Sequence, residues 1–551
     1  MAEHLNQLCC LIIEDTYGSF LSHIFKQVAT YGRLPAGQIA QRCHLLLRQA
    51  KAGLATLIQL RLVQHHSVEG FSTYQANLTN AYDLLRTGKL AQLAHAQYGS
   101  IAGLVIEVLA AKGFASVKDL EAAVLQALEQ SSDRETPYQN GSKASVKVQD
   151  TLRRLANDQF MSKLSIGHLQ IPHDARQDAE AGHELVTAGG QRGENLRADR
   201  LSKVQEEMER RLDTYVSADM IEAALDVPNG EAVGATPQQE LYLCLNYVRV
   251  IKDVRNATVT QHVNKTLGRT SARLTTAVLK QIELQSPPFE RSPNVRTEEQ
   301  LVVLSRLLDD TRRMPLQNGT HGTNGHHDED TAMTNGANED EYLDQEDLES
   351  GLDLVSSGPY PFIRRDENTA WWYIDRYQVA IWLRDREILN LISARIGPTG
   401  MRLVRMLIDK GKLDEKLLQE MGLLSAKEMR QALAELQTMG LTELQEVPRE
   451  PQRQPNRTIF LWFYDALRAR DLLLGQLYKS MARCYQRLQV VERERMRATL
   501  DKIERDDVKD RIEEVVVGAE KVALEQFQAK ERWLMGEIAR LDESVALLRD
   551  M

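Results

Sequence analysis

Near the start of the chain, apolar residues recur at a helical spacing and then give way to two short strand-like runs. One stripe of the first helix consists of Phe20, Leu21, Ile24, Phe25 and Val28. The pattern predicts helices from Tyr17 to Thr30, from Pro35 to about Arg42 and from about Leu46 to Leu60, and strands from Leu62 to His66 and from Phe71 to Gln75. Three helices followed by a β-hairpin are the winged variant of the helix-turn-helix.

Similar patterns recur three times further along the chain. The second predicts helices over Ser100–Ala111, Val117–Leu128 and Ala144–Ala156 and a wing strand over Phe160–Leu169. The third predicts helices over Leu241–Val254, Val259–Leu267 and Ser271–Leu284. The fourth predicts helices over Thr399–Lys410, Glu415–Met421 and Ala426–Met439 and strands over Leu441–Val447 and Thr458–Tyr464. Ser425 is an N-cap type of residue with Glu428 three positions on, as in a capping box.

Two stretches lack the apolar content of a packed element. The segment from about His173 to Asp199 is polar and contains Gly189 and Gly190, and a charged helix candidate, Leu201 to Val216, continues it. The stretch 316–357 is rich in Asn, Gly, His, Asp and Glu. Such a composition cannot offset its ordering entropy, which predicts a disordered acidic insertion.

The last segment, from Asp465 onward, contains no proline and is dense in charge, which predicts long helices. A zipper-like seam with the 3-4 spacing of a coiled coil consists of Leu467, Leu474, Leu477, Met481, Cys484, Leu488 and Val491. A second apolar series runs from Leu534 to Leu548, and the polar run Glu504 to Asp510 divides the two arms. The arms are expected to cover each other as an antiparallel hairpin, with the seam binding a protein partner. A helix packed on the last winged helix would show the same stripe.

These patterns predict a mainly α fold with small β wings, built from tandem extended winged-helix domains and a C-terminal coiled-coil helical hairpin. The expected domains are 1–95, 96–172, a polar linker with a charged helix at 173–235, 236–375 with the acidic insertion, 376–464 and the coiled coil at 465–551.

Charge is concentrated in one place along the chain. The net charge is -10, and the eleven acidic residues between Met314 and Ile363, where no Lys or Arg occurs, leave the rest at -10 + 11 = +1. The five cysteines form no CxxC pair, so neither a zinc framework nor a disulfide scaffold is indicated. The sequence shows no basic leader and no stretch of 18 apolar residues, so secretion and membrane spanning are not expected.

No catalytic motif is visible: the chain has no GxxxxGK[ST], no HExxH and no GxSxG. His326 and His327 beside Asp328 are interpreted as a solvated tract, not a metal site. No cofactor is expected.

The basic residues of the candidate recognition helices carry the only nucleic-acid signal. They are Arg48, Lys51, Lys143, Lys147, Arg153, Arg154, Arg269, Arg273, Lys280, Lys427 and Arg430. Such residues can contact DNA phosphates without reading base sequence. Ordinary solvated faces carry as many cations, and winged helices also bind proteins, so both interpretations stay open.

Several long runs resemble the family of the third-largest subunit of RNA polymerase III. They are GPTGMRLVRMLIDKGKL from Gly397, SAKEMRQALAELQTMG, LQEVPRE and RTIFLWFYD before the zipper, with YGRLPAGQIAQRC and LNYVRVIKDVRNATVTQHVNKTLG nearer the start. The resemblance covers the chain except the linker around His173 to Asp199 and the acidic insertion.

The resemblance implies extended winged helices like those of the general initiation factor TFIIE and a non-catalytic role in the nucleus. It implies a heterotrimer with two other polymerase-III-specific subunits at the clamp, non-specific contact with promoter DNA, and contact with initiation factors. Its implied function is promoter-directed initiation and DNA opening for transfer RNA and 5S ribosomal RNA synthesis. The alternative is a free-standing winged-helix regulator that dimerises through Leu474 to Val491.

Overall fold

The computed structural model describes residues 2–68, 70–131, 141–182, 194–211, 214–226, 240–285, 345–358, 362–365, 372–448, 458–503, 505 and 515–550. The chain forms two compact units. One contains Met1–Ile251 and Arg384–Met551, and the other contains Lys252–Leu383.

The first module is a winged helix preceded by an additional helix. Its helices are α1 Ala2–Tyr17, α2 Ser19–Tyr31, α3 Ala36–Arg42 and α4 Leu47–Gln59, and its strands are β1 Leu34–Pro35, β2 Val63–Val68 and β3 Phe71–Ala76. The strands pair antiparallel in the order β1-β3-β2, with Val63 opposite Ala76. The predicted helices and wing strands are confirmed to within about two residues, because the apolar stripe of α2 is the face that is buried.

The second module has its sheet completed by a strand from much later in the sequence. It follows a connection made by α5 Leu78–Asp83, a 3₁₀ turn at Leu84–Arg86 and α6 Thr87–Tyr98. Its elements are α7 Ser100–Lys112, β4 Phe114–Ser116, α8 Val117–Ser131, α9 Gly141–Asn157, β5 Met161–Lys163 and β6 Tyr242–Leu245. The three strands pair antiparallel in the order β4-β6-β5.

Two sequence predictions were wrong in this module. The wing strand expected over Phe160–Leu169 ends at Lys163, and the helix expected from Leu241 starts later, because Tyr242–Leu245 is the central strand β6. Three residues of β6 are buried in succession. A short continuous apolar run fits a buried strand or a buried helix equally well, so its period does not decide between them.

Between β5 and β6 the chain makes a helical excursion. Its helices are α10 Ile166–Leu169, α11 Pro172–Gly182, α12 Glu194–Arg211 and α13 Ala218–Asp226. Part of the stretch predicted to be poorly ordered, from His173, is therefore helical. Ala175 and Ala179 bury one face of α11, and Asp174 forms a 2.7 Å ion pair with Arg33 of the first module. Long-range packing of small apolar residues thus orders a segment that looks polar in sequence.

The third module lies largely in the second unit. The helices predicted over Leu241–Val254 and Val259–Leu267 are one helix there, whereas the helix predicted over Ser271–Leu284 is present. The elements of this module are α14 Val248–Leu267, α15 Arg269–Gln285, α16 Gln345–Ser356, β7 Arg364–Arg365 and β8 Trp372–Tyr373. The helix before the β7–β8 hairpin is therefore α16, which lies inside the segment predicted to be disordered. Leu352 and Val355 of α16 are each 1% exposed, so this part of the insertion has a buried apolar face. The remaining predicted insertion up to Asp344 lies outside the described residues.

The packing of α16 gives a first stability prediction. Leu352→Ala is expected to lower the free energy of unfolding of the second unit by about 2–5 kcal/mol, because it removes buried methyl groups and leaves a cavity. Leu354→Ala on the same helix is the matched control, since Leu354 is 49% exposed and the change should stay within about 0.5 kcal/mol. Thermal and denaturant unfolding measure both variants. Equal effects would show that α16 is not packed as described.

The fourth module matches its predicted elements closely. It contains α17 Arg376–Ile396, α18 Pro398–Lys410, α19 Glu415–Gly422, α20 Ala426–Thr438, β9 Thr442–Pro448 and β10 Thr458–Tyr464. The predicted cap is confirmed, because Ser425 Oγ accepts a 3.2 Å hydrogen bond from the Glu428 amide. The two long strands pair antiparallel from Thr442 opposite Tyr464 to Pro448 opposite Thr458.

The C-terminal segment forms the predicted antiparallel helical hairpin. It contains α21 Ala466–Gln486, a π-helical segment Arg487–Arg493, α22 Glu494–Ile503 and α23 Ala519–Arg549. Lys502 Nζ lies 2.8 Å from Glu520 Oε1, and Lys530 Nζ lies 3.2 Å from Glu492 Oε2. These two ion pairs connect the arms.

Candidate docking seam and nucleic-acid interface

The leucine seam of α21 is covered by helices of the same chain. Helix α1 packs along α21 and buries Leu8, Cys9, Ile12 and Ile13, while α23 packs along another side. The side-chain amide of Gln489 donates a 3.4 Å hydrogen bond to the Leu11 carbonyl. The hairpin and the start of the chain therefore form one three-helix layer.

The seam residues do not all share one environment. Leu474, Leu477, Met481 and Leu488 are buried, and Cys484 is half-buried. Leu467 is 61% exposed and Val491 is 39% exposed, so these two lie outside the seam that the heptad spacing predicted. Val491 lies in the π-helical segment, where i→i+5 hydrogen bonding adds a residue to the turn and breaks the 3-4 spacing. In this structure the buried seam residues contact the chain itself, and binding of a partner by the seam stays a prediction.

A buried charge cluster joins the first module to the C-terminal helix. Arg86 is fully buried, and its Nε lies 3.0 Å from Asp542 Oδ1. Its two terminal nitrogens lie 3.2 Å from Asp83 Oδ1 and 2.7 Å from Asp550 Oδ2. The Tyr82 hydroxyl donates a 2.9 Å hydrogen bond to Asp542 Oδ1. One guanidinium thus ties α5 and the 3₁₀ turn to two positions near the end of the chain.

Further cations balance the carboxylates of this cluster. Lys89 Nζ lies 3.4 Å from Asp542 Oδ2, and Arg549 stacks over the Tyr82 ring with its guanidinium carbon 4.2 Å from the centroid. Burial raises the pKa of the Asp83 carboxyl to about 6, although Arg86 and Arg549 oppose the shift. Sequence reasoning missed this cluster, because its two halves lie at opposite ends of the chain and each member resembles an ordinary surface charge.

In the first module, the basic residues of the recognition-position helix α4 form no ion pairs with the described acidic residues. Arg48 and Lys51 on α4 are exposed, and neither forms an ion pair within the described residues. From Thr16 to Val68 the chain carries six Lys or Arg and no Asp or Glu. Apart from Arg33, which pairs with Asp174 outside it, the cations of this stretch therefore have no carboxylate within the stretch to neutralise them.

In the second module, two of the predicted basic residues form ion pairs with acidic residues. Arg153 lies 3.5 Å from Glu222, and Arg154 lies 2.8 Å from Asp150. Lys147 is exposed, and the side chain of Lys143 lies outside the described residues. Helix α9 still carries a net positive charge, with four cations against Asp150 alone.

In the third module the predicted basic residues lie on the predicted helix, but the hairpin does not directly follow that helix. Arg269, Arg273 and Lys280 belong to α15, and α16 is the helix nearest before the hairpin among the described residues. Helix α16 carries Glu346, Asp347, Glu349 and Asp353 and no Lys or Arg. Negative charge at this position disfavours contact with phosphates. Contact of Arg269, Arg273 and Lys280 with DNA stays a prediction.

In the fourth module, the recognition-position helix α20 has no net charge. Lys427 is exposed, Arg430 Nε lies 3.0 Å from Glu415 Oε2, and α20 also carries Glu428 and Glu435. This helix offers little excess charge for phosphate contact.

Exposed leucines at two helix-turn-helix turns were missed from the sequence. Leu46 is 71% exposed and Leu47 48% exposed at the start of α4, and Leu423 is 89% exposed just before α20. Large apolar side chains exposed at these turns favour protein docking. They carry no periodic signal, because they lie in turns or at a helix start.

Neither a metal-ligand cluster nor a membrane-crossing helix is found among the residues that the structure describes. Among those residues, no three or more His, Cys, Asp or Glu side chains are grouped to hold a metal ion. His326, His327 and Asp328 lie outside them. No helix in the described ranges combines the length and apolar character needed to cross a bilayer.

Three family models match successive parts of the chain. They are the helix-turn-helix domain of the RNA polymerase III subunit RPC82 over 7–68, the RNA polymerase III subunit RPC82 model over 106–379, and the C-terminal winged-helix domain of POLR3C over 388–464. Curated relatives match along their whole length. The chain is 30% identical to the DNA-directed RNA polymerase III subunit RPC-3 of Coccidioides immitis and 29% identical to subunit rpc3 of Aspergillus terreus, with 100% of each chain covered in both comparisons.

Proposed function

The chain belongs to the family of the RNA polymerase III subunit RPC82, also called RPC3, and from this premise we propose that it is a non-catalytic subunit of DNA-directed RNA polymerase III. We propose further that it acts in promoter-directed initiation and DNA opening for the synthesis of transfer RNA and 5S ribosomal RNA. The observation that carries this function is similarity over the whole length of relatives with that name.

Membership of this family implies association with other RNA polymerase III subunits and, in general terms, location in the nucleus. The finer proposal is a heterotrimer with two other polymerase-III-specific subunits, docked on the clamp and in contact with initiation factors. The exposed leucines at the turns before α4 and α20 support protein docking by the first and fourth modules.

DNA contact is proposed to be non-specific and unevenly distributed among the modules. The exposed cations of α4 and the net positive charge of α9 support phosphate contact by the first two modules. The neutral α20 and the acidic α16 support protein contact in the other two.

The alternative of a free-standing dimeric regulator has weaker support. A zipper homodimer needs an accessible seam, whereas Leu474, Met481 and Leu488 are each at most 3% exposed within the single chain. Exchanging those contacts for a second copy would first require separating α1 and α23 from α21.

The proposal is tested by charge reversal on α4. Arg48→Glu with Lys51→Glu is expected to leave co-purification with polymerase III unchanged. It should lower DNA affinity and reduce the slope of log K against log salt by about 0.9 for each phosphate that the variant no longer neutralises. Filter binding or fluorescence anisotropy across a salt series measures the slope.

The matched control is Arg495→Glu with Arg497→Glu, because both residues are exposed and lie on the hairpin away from any recognition helix. An unchanged salt slope in the α4 variant would remove DNA contact from the first module. A chain that fails to co-purify with the polymerase and forms a homodimer would overturn the subunit assignment itself.

A further inference from the structure

A polar cavity lies between the first module and the excursion of the second. Its volume is about 150 Å³, about ten times the 10–15 Å³ that holds one water molecule. Its polar lining residues are Arg61, Arg211, His168, Gln64, Asn77 and Asn80. No Asp or Glu is among the described residues that line it. The residues that line the cavity therefore carry positive charge and no negative charge.

Arg61, which lines this cavity, has a strained backbone conformation and a weakly hydrogen-bonded side chain. Its backbone has φ +62°, a conformation that an L-residue with a long side chain adopts at a cost of about 1 kcal/mol or more. Its carbonyl accepts a 3.0 Å hydrogen bond from Asn80, and one terminal nitrogen makes only a long 3.5 Å contact with the Leu245 carbonyl. Its Nε is buried and has no hydrogen-bond partner among the described residues. A buried donor without a partner normally marks a site where water or an anion binds.

The surrounding backbone adds to the positive potential. Helix α11 starts at Pro172, which lines the cavity, so the positive end of the helix dipole lies at its wall. The nearby carboxylates are already engaged. Asp174 forms its 2.7 Å ion pair with Arg33, and Glu207 accepts a 2.9 Å hydrogen bond from Arg211 Nε. After these pairings, the charge of Arg61 has no carboxylate partner among the residues that the structure describes.

We propose that this cavity binds a small tetrahedral oxyanion of the phosphate or sulfate class. The anion accepts hydrogen bonds from Arg61 and from the other donors of the wall, and so links β2 and α5 of the first module to α11 and α12 of the excursion. This site is independent of the recognition helices and of the proposed function. It predicts that phosphate stabilises the contact between the two modules.

The test uses the full-length chain and inorganic phosphate as the probe. Calorimetric titration is expected to show saturable binding with a stoichiometry of about one, and sulfate should compete. The unfolding temperature should rise with phosphate at constant ionic strength, because the anion binds the native state only. Sodium acetate, matched in ionic strength, serves as the planar anion arm. Equal binding of acetate would overturn the tetrahedral assignment.

Arg61→Gln is expected to weaken phosphate binding at least about tenfold, since it removes a charged donor from the site. Arg211→Gln provides a second variant if the first fails to fold, and it should also weaken binding. Arg487→Gln, on the π-helical segment of the hairpin, is the control and should bind phosphate as the unaltered chain does. Absence of saturable binding, or unchanged affinity in folded Arg61→Gln and Arg211→Gln, would show that the cavity holds only water.

Discussion

Replacing Arg86 by methionine is expected to lower the free energy of unfolding of the first unit by about 3–5 kcal/mol. The change keeps an unbranched apolar side chain in place of the aliphatic stem and removes only the charged end. Asp83, Asp542 and Asp550 then lose their nearest common cation, and Asp542 is 1% exposed. Lys89 and Arg549 remain beside the three carboxylates, but these buried groups cannot recover hydration in place of Arg86, which makes the loss larger than the value of a single exposed ion pair. Denaturant unfolding followed by circular dichroism measures the effect.

The same variant should also loosen the C-terminal helix. Limited proteolysis is expected to cut α23 faster, because the cluster is one of the main attachments of its last turns to the first module. Arg532→Met on the exposed side of α23 is the control and should change stability by at most about 0.5 kcal/mol. If Arg86→Met lowered the free energy of unfolding by less than about 1 kcal/mol, the cluster would be solvated and not buried as described.

Introducing aspartate at Leu488 or at Leu474 is expected to cost about 3 kcal/mol or more, whereas the same change at Leu467 should be nearly neutral. The three leucines belong to one heptad series, so the sequence alone predicts equal effects. The structure predicts a difference because Leu488 is 0% exposed, Leu474 is 3% exposed and Leu467 is 61% exposed. A carboxylate at either buried position would lie in the apolar layer formed with α1 and α23, away from water.

Thermal unfolding and co-purification with polymerase III separate the two roles of the seam. The variants at Leu488 and Leu474 should be less stable as isolated chains, because the contacts of these residues lie within the chain. Leu467→Asp should fold normally. If it nevertheless failed to assemble, Leu467 would belong to a partner surface. Equal destabilisation at all three positions would contradict the packing of α1 against α21.

Local sequence patterns predicted helices and strands correctly wherever an element buries a face against its neighbours in sequence. The fourth module illustrates this, because α18, α20, β9 and β10 appear almost where periodicity, caps and turns predict them. The first module behaves in the same way. Local signals failed for β6 and α16, whose apolar residues pack against segments that are distant in sequence. They succeeded for α15, which carries Lys280 and lies where its helix is predicted.

The sequence by itself determined the repeated winged-helix modules, the long C-terminal helices and the family, because these follow from short-range periodicity and from long matching runs. Only the tertiary structure decided what the seam touches. The first and fourth modules share one continuous apolar core with α1, α21 and α23, and Arg86 meets Asp542 and Asp550 inside the same unit. A heptad pattern predicts that one face of a helix is buried, but it does not predict which other helix covers that face. That choice depends on packing between the two ends of the chain, and no local pattern records it.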